Sequence, residues 1–152
     1  MEEIKRLYQH LDWANWRMLE HLKRTGVDDE DIKRLLAHIL AAEQIWLARL
    51  KGMDSSHIAL WSSDADLEHY SELLQQNQAS YEAYLNSLAE EDLDVMIDYR
   101  NLSGVECRTP VRDILIHVAL HGQYHRGQIN TRLRLAGLEP LGMDYIAFVR
   151  ES

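Results

Sequence analysis

Along the first fifty residues apolar side chains return every three or four positions, with charged and polar residues between them. Leu7, Leu11, Ala14, Met18 and Leu22 form one such line, which predicts an amphipathic helix from about Glu2 to Lys23. In "RTGVDDED" the glycine stops that helix and the acids favour a new start, with Asp28 as the expected N-cap. The second helix reads to about Lys51, carries Leu35, His38, Ala42, Ile45 and Arg49 on one line, and ends at Gly52. "GMDSSHIALWSSDAD" then reads as a loop closing on an N-cap at Ser63 or Asp64. A third helix, about Asp66 to Leu88, is polar over much of its surface and turns Leu67, Tyr70, Leu74, Tyr81 and Leu85 inward.

The helical period fails between Leu93 and Thr109. In "DVMIDYRNLSGVECRTP" β-branched and aromatic residues flank "NLSG", the pattern of a short β-hairpin. Pro110 suits the first turn of a fourth long helix running to about Ala136, after which Gly137 fits the C′ position and Pro140 prevents continuation. "GMDYIAFVRE" predicts a short closing helix. Four long amphipathic helices bury most of their surface as a four-helix bundle, so the predicted fold is all-α with a short β-hairpin before the last long helix. The 152 residues suffice for one such domain, spanning 1–152, with no repeat and no linker.

Charge and cysteine usage narrow the function. A net charge of −9, with no cluster of Lys and Arg among aromatics, argues against a nucleic-acid binder, which needs a basic surface to displace counterions. Cys107 is the single cysteine, which rules out an intramolecular disulfide and favours a reducing compartment. "MEEIKRLYQH" lacks the basic and apolar regions of a signal peptide, and no apolar run approaches the roughly 20 residues that span a bilayer. The expectation is a cytoplasmic protein without a membrane partner.

The histidines bring in chemistry. His10, His21, His57 and His69 read as ordinary structural or surface residues. "IHVALHGQYHRGQIN" differs, because His117, His121 and His125 recur every four residues and so share one narrow helix stripe. An i, i+4 pair stands about 6 Å apart at Cβ, close enough to hold one ion between two imidazoles. His117 and His125 lie about 12 Å apart along the helix axis, so one adjacent pair binds and spacing leaves open which. A third ligand must come from another helix. His38 is the best candidate, because it lies on the inward line of the second helix among Ala37, Ala41 and Ala42, which leave room for an ion.

"LLAHILAAEQIWLARL", "ILIHVALHGQYHRGQI" and "LDWANWRMLEHL" resemble the DinB family of damage-inducible proteins, within the DinB/YfiT-like superfamily, and the likeness extends to "LRLAGLEPLGMDYIAFVRE". The resemblance implies a four-helix bundle, often a homodimer, with a divalent metal held by three histidines. Matched by position these are His38, His121 and His125, which selects the second pair and leaves His117 as a supporting or core residue. Zinc or nickel suits such a site.

Three neutral histidines leave the ion an open position and the power to acidify a bound water or thiol. The superfamily's thiol-dependent transferases favour S-transfer with a small-molecule substrate, possible co-substrates being low-molecular-weight thiols. A metal-dependent hydrolase and a non-catalytic metal-binding stress protein are the alternatives. A hydrolase needs a general base, for which Asp12 and Glu43 are conceivable. Arg126 is expected in a salt bridge, Gln128 near the site, and Gly122 and Gly127 where something approaches closely. Trp13, Trp16, Trp46 and Trp61 read as core or pocket lining, and Cys107 carries no assigned role.

Overall fold

The computed structural model describes residues 1–62, 66–101 and 103–151. Helix α1 covers Glu2–Thr25, α2 Glu30–Leu50, α3 Leu67–Ser87, α4 Val111–Leu135 and α5 Tyr145–Glu151; β1 is Met96–Arg100 and β2 Glu106–Pro110. The predicted helix bundle with its hairpin is therefore the observed fold. A 3₁₀ turn at Glu90–Asp94, which the sequence pattern did not announce, leads into the hairpin.

Local chemistry sets the ends. Gly26 closes α1 at φ 61°, a conformation that favours glycine. The N-cap of α2 is Asp29 rather than Asp28: the Asp29 carboxylate accepts from the Asp31 and Ile32 amides, while Asp28 pairs with Lys33. Asp66 caps α3 by accepting from the His69 amide; the expected caps Ser63 and Asp64 lie outside the described residues. Pro110 ends β2 and stands as the N-cap of α4, one residue before the helical turn expected to hold it. Strands β1 and β2 pair antiparallel with Tyr99 opposite Cys107. Asn101 shapes their turn, its Oδ1 accepting from the Ser103 and Val105 amides.

The bundle interior consists of two apolar clusters. One gathers Ala14, Met18, Leu22, Leu36, Leu40, Tyr70, Leu74, Ile129 and Leu133; the other gathers Tyr8, Leu11, Leu47, Leu50, Tyr81, Leu85, Leu115 and Val118. Between them in every long helix comes a buried polar residue: Asn15, Glu43, Asn77 and Arg126. Asn15 and Asn77 each donate a side-chain N–H to Glu43, at 2.8 and 2.9 Å, and Arg126 Nη1 donates to Asn15 Oδ1 at 2.6 Å. This belt crosses the bundle at mid-height, one residue per helix. Among the described residues no helix is long and apolar enough to cross a membrane.

Candidate metal centre

Helices α2 and α4 face each other, and each turns histidine toward the other at the level of the belt. His38 on α2 and His121 and His125 on α4 bring their ligand nitrogens within 4.8 Å of one another. His121 Nε2 stands 3.1 Å from His38 Nε2 and 3.1 Å from His125 Nε2. The second nitrogens are tied elsewhere. His38 Nδ1 lies 3.1 Å from the Leu60 carbonyl oxygen and His125 Nδ1 lies 2.7 Å from Gln128 Oε1.

Those ties fix the tautomers. A carbonyl oxygen only accepts, so Nδ1 of His38 and of His125 carries a proton and each ring turns its Nε2 inward. His121 Nε2 holds at most one proton, which satisfies one of its two neighbours. The other 3.1 Å contact sets lone pair against lone pair. A cation among the three nitrogens removes that conflict, so the donor set fits a divalent ion bound through Nε2. Desolvation first, then the neighbouring imidazoles, push the His121 pKa down to about 3, and desolvation lowers that of His38. Both rings are therefore neutral at pH 7, the form that ligates metal.

The trio is reachable. A cleft of about 420 Å³ is lined by His38, Ala42, Ile45 and Trp46 of α2, by His117 and His121 of α4, and by Tyr99, Asn101, Ser103 and Cys107 of the hairpin, with Leu60 and Arg49. Trp61 stacks on His38 at 3.6 Å between ring centroids and 7° between planes, and is itself 46% exposed. It is thus a cover for the ligand ring rather than core. Trp46 borders the cleft and meets His117 edge to face at 5.2 Å. Trp13 and Trp16 stay on α1, packed against the bundle core.

Several sequence expectations are corrected. His117 is exposed and faces the cleft; it is no core residue. Asp12 and Glu43 do not line the cleft. Glu43 is enclosed in the belt, and Asp12 lies in a different cavity beside Tyr8, Tyr81 and Glu82. Arg126 is fully buried and makes amide contacts to Asn15 and Gln123 instead of an ion pair. The close approach at Gly122 comes from its own helix, because a Cβ there would stand 3.0 Å from Arg126 Nη1. At Gly127 nothing comes within 4 Å of that position. Ala42 borders the cleft, whereas Ala37 and Ala41 line another cavity with His57 and Tyr70.

Other expectations hold. Gln128 is bonded to His125. His10 and His21 are buried and reach the Met143 and Glu139 carbonyls, both at 2.9 Å, pinning the α4–α5 connection to α1. His57 and His69 are exposed. The Leu60 carbonyl and the belt asparagines were not anticipated. The belt did leave a signal: Asn15 and Asn77 interrupt otherwise apolar lines, Leu11–Met18 and Leu74–Tyr81, at helical spacing.

Comparison with known proteins agrees with this architecture. The model of the DinB family matches residues 1–152. The chain belongs to the DinB family. It is 26% identical over 156 residues to Protein DinB of Bacillus subtilis (strain 168), covering 92% of this chain and 90% of that one. A crystal structure of a DinB-like protein from Bacillus cereus ATCC 10987 superimposes with a TM-score of 0.70 at 19% identity, over 93% of this chain and 96% of that one. At that identity the structural likeness speaks for the DinB fold. Within this DinB-family chain the histidine trio and its cleft are established by their own geometry.

Proposed function

We propose that this protein binds one divalent ion, zinc or nickel, through His38, His121 and His125, and that it is an enzyme transferring a low-molecular-weight thiol onto a small-molecule substrate held in the cleft. The observation that carries this is the trio of converging Nε2 atoms, with the His38 and His121 rings lining a cavity wide enough for a small molecule. A divalent ion held by three neutral imidazoles lowers the pKa of a thiol or water presented to it. The chain supplies the rest. Leu60 and Gln128 hold two ligand rings in register, and Trp61 stacks over one of them. His117, whose ring centroid is 5.6 Å from that of His121, is placed to take the proton of an entering thiol. Ile45 and Trp46 give the cleft an apolar wall for the substrate's carbon skeleton.

Hydrolysis is the second reading: no carboxylate lines the cleft among the described residues, so His117 would be the base there as well. A purely structural ion is weaker, since two of the three rings border open space. The proposal includes a homodimer in the cytoplasm, with no nucleic-acid or membrane partner. Cobalt-loaded protein titrated with glutathione tests the chemistry. The expected result is a thiolate-to-cobalt absorption band, with conjugation of monobromobimane that falls in His117→Gln. Absence of both band and conjugation overturns the thiol reading, and cleavage of nitrophenyl esters in its place establishes the hydrolase.

A further inference from the structure

Beyond the histidines, Arg49 is the one cation among the described residues that line the cleft. Its guanidinium carbon lies 4.5 Å from the Trp46 ring centroid and 5.0 Å from that of Tyr99, and its Nη2 donates to the Arg100 carbonyl oxygen at 3.2 Å. The hairpin's own arginines are each matched: Arg100 with Glu106, Arg108 with Asp98, and Arg112 of the following helix with Asp94. Arg49 forms no such ion pair among the described residues, and no acid lines the cleft there. What sets Arg49 apart is its place in the cleft wall, where two aromatic rings hold it. Burial disfavours the charged guanidinium, and only Tyr99 and Cys107 offset that electrostatically.

We propose that Arg49 is a carboxylate-binding subsite of the cleft, so that the molecule acting at the histidine trio carries a carboxylate at its far end. The aromatic rings occupy the guanidinium's faces and Arg100 takes one nitrogen, which leaves an edge with parallel N–H groups for one bidentate carboxylate. A phosphate dianion is the poorer match, because no second cation accompanies Arg49 in the cleft. Eleven residues of α2 separate Arg49 from His38, about 16 Å along the axis, and side chains on a helix lean toward its N-terminus, so Arg49 leans toward the trio. The ligand is accordingly elongated, with several bonds between its reacting atom and its carboxylate.

The inference rests on the metal-binding reading, and calorimetry separates the two. Zinc titration of the purified protein tests the trio by itself. Zinc-loaded protein is then titrated with suberic acid monohydroxamate and with its methyl ester, which share the metal-binding end and differ in the carboxylate. The free acid is expected to bind about tenfold more tightly, as one charge-assisted pair allows. Arg49→Gln should equalise the two probes, Arg49→Lys should retain part of the preference, and Arg49→Glu should invert it, with zinc affinity unchanged in all three. Equal binding of acid and ester by the wild type, or a preference surviving Arg49→Gln, overturns the carboxylate subsite while leaving the metal site standing. Failure to bind zinc overturns the metal reading, and with it the subsite as stated.

Discussion

The belt and the histidine trio are built from neighbouring residues of the same helices and differ in one respect. Arg126 follows His125 on α4, and Glu43 follows His38 by five residues on α2. The belt side closes on itself but for Arg126 Nε, which is buried without a hydrogen-bond partner. Both Glu43 oxygens accept from asparagine, Asn15 joins Glu43 to Arg126, and Asn77 also reaches the Leu40 carbonyl. The trio does not close, because its three nitrogens hold too few protons for the contacts they make. Buried polar groups that satisfy one another specify a structure, whereas a convergent set left short points to something that completes it.

Three variants break or sharpen that contrast. Arg126→Met strikes the belt and leaves Asn15 Oδ1 and Gln123 Oε1 without their donor. The expected loss is about 3 kcal/mol of stability in urea unfolding, with zinc stoichiometry at the trio unchanged. A variant that loses zinc instead would show that the two regions are one unit. Gln128→Leu strikes the other side. Removing the acceptor that orients His125 should weaken zinc about 10–100-fold by competition with a chelating dye, while stability of the metal-free protein falls by about 1 kcal/mol, one partly buried hydrogen bond.

The smallest effect is a pH dependence on the belt side. Desolvation, then the charge of Glu43, raises Asp12 from 3.8 to about 7. Desolvation likewise raises Glu43 from 4.5 to about 7, against the lowering effect of its hydrogen bonds to Asn77 and Asn15. An acid whose pKa is higher in the folded state than in the unfolded state binds more protons when folded. Stability therefore falls as pH rises from about 4 to about 7. Asp12→Asn removes part of that slope, so its Tm should exceed that of the wild type by roughly 2–4 °C at pH 8, about 1 kcal/mol, and match it near pH 4. A Tm gain of equal size at both pH values would assign the change to packing.

The helices were legible because each carries a long apolar line, and the hairpin because that line breaks around "NLSG". The trio was legible as an i, i+4 pair with one inward histidine opposite, although choosing His121 and His125 over His117 needed the family resemblance. Spacing alone does not tell which end of a stripe meets the facing helix. The roles of Arg126 and Glu43 were not legible, since a charged residue inside a helix pattern shows its type and not its partners. Apart from Gln123, one turn before Arg126, those partners come from α1 and α3, more than twenty residues away. Trp61 illustrates the same limit: it lies in a loop without periodicity, and the fold alone stacks it on His38.

The account's central claim is that the three imidazoles form one ion site shared between α2 and α4. Isothermal calorimetry of zinc binding to untagged protein, beside His38→Ala and His125→Ala, tests it most directly. The account predicts one zinc per chain in the wild type and at least a hundredfold weaker binding in each variant, with the helical circular-dichroism signal preserved. A wild type that takes up no ion, or a His38→Ala variant that binds zinc as tightly as the wild type, would contradict it.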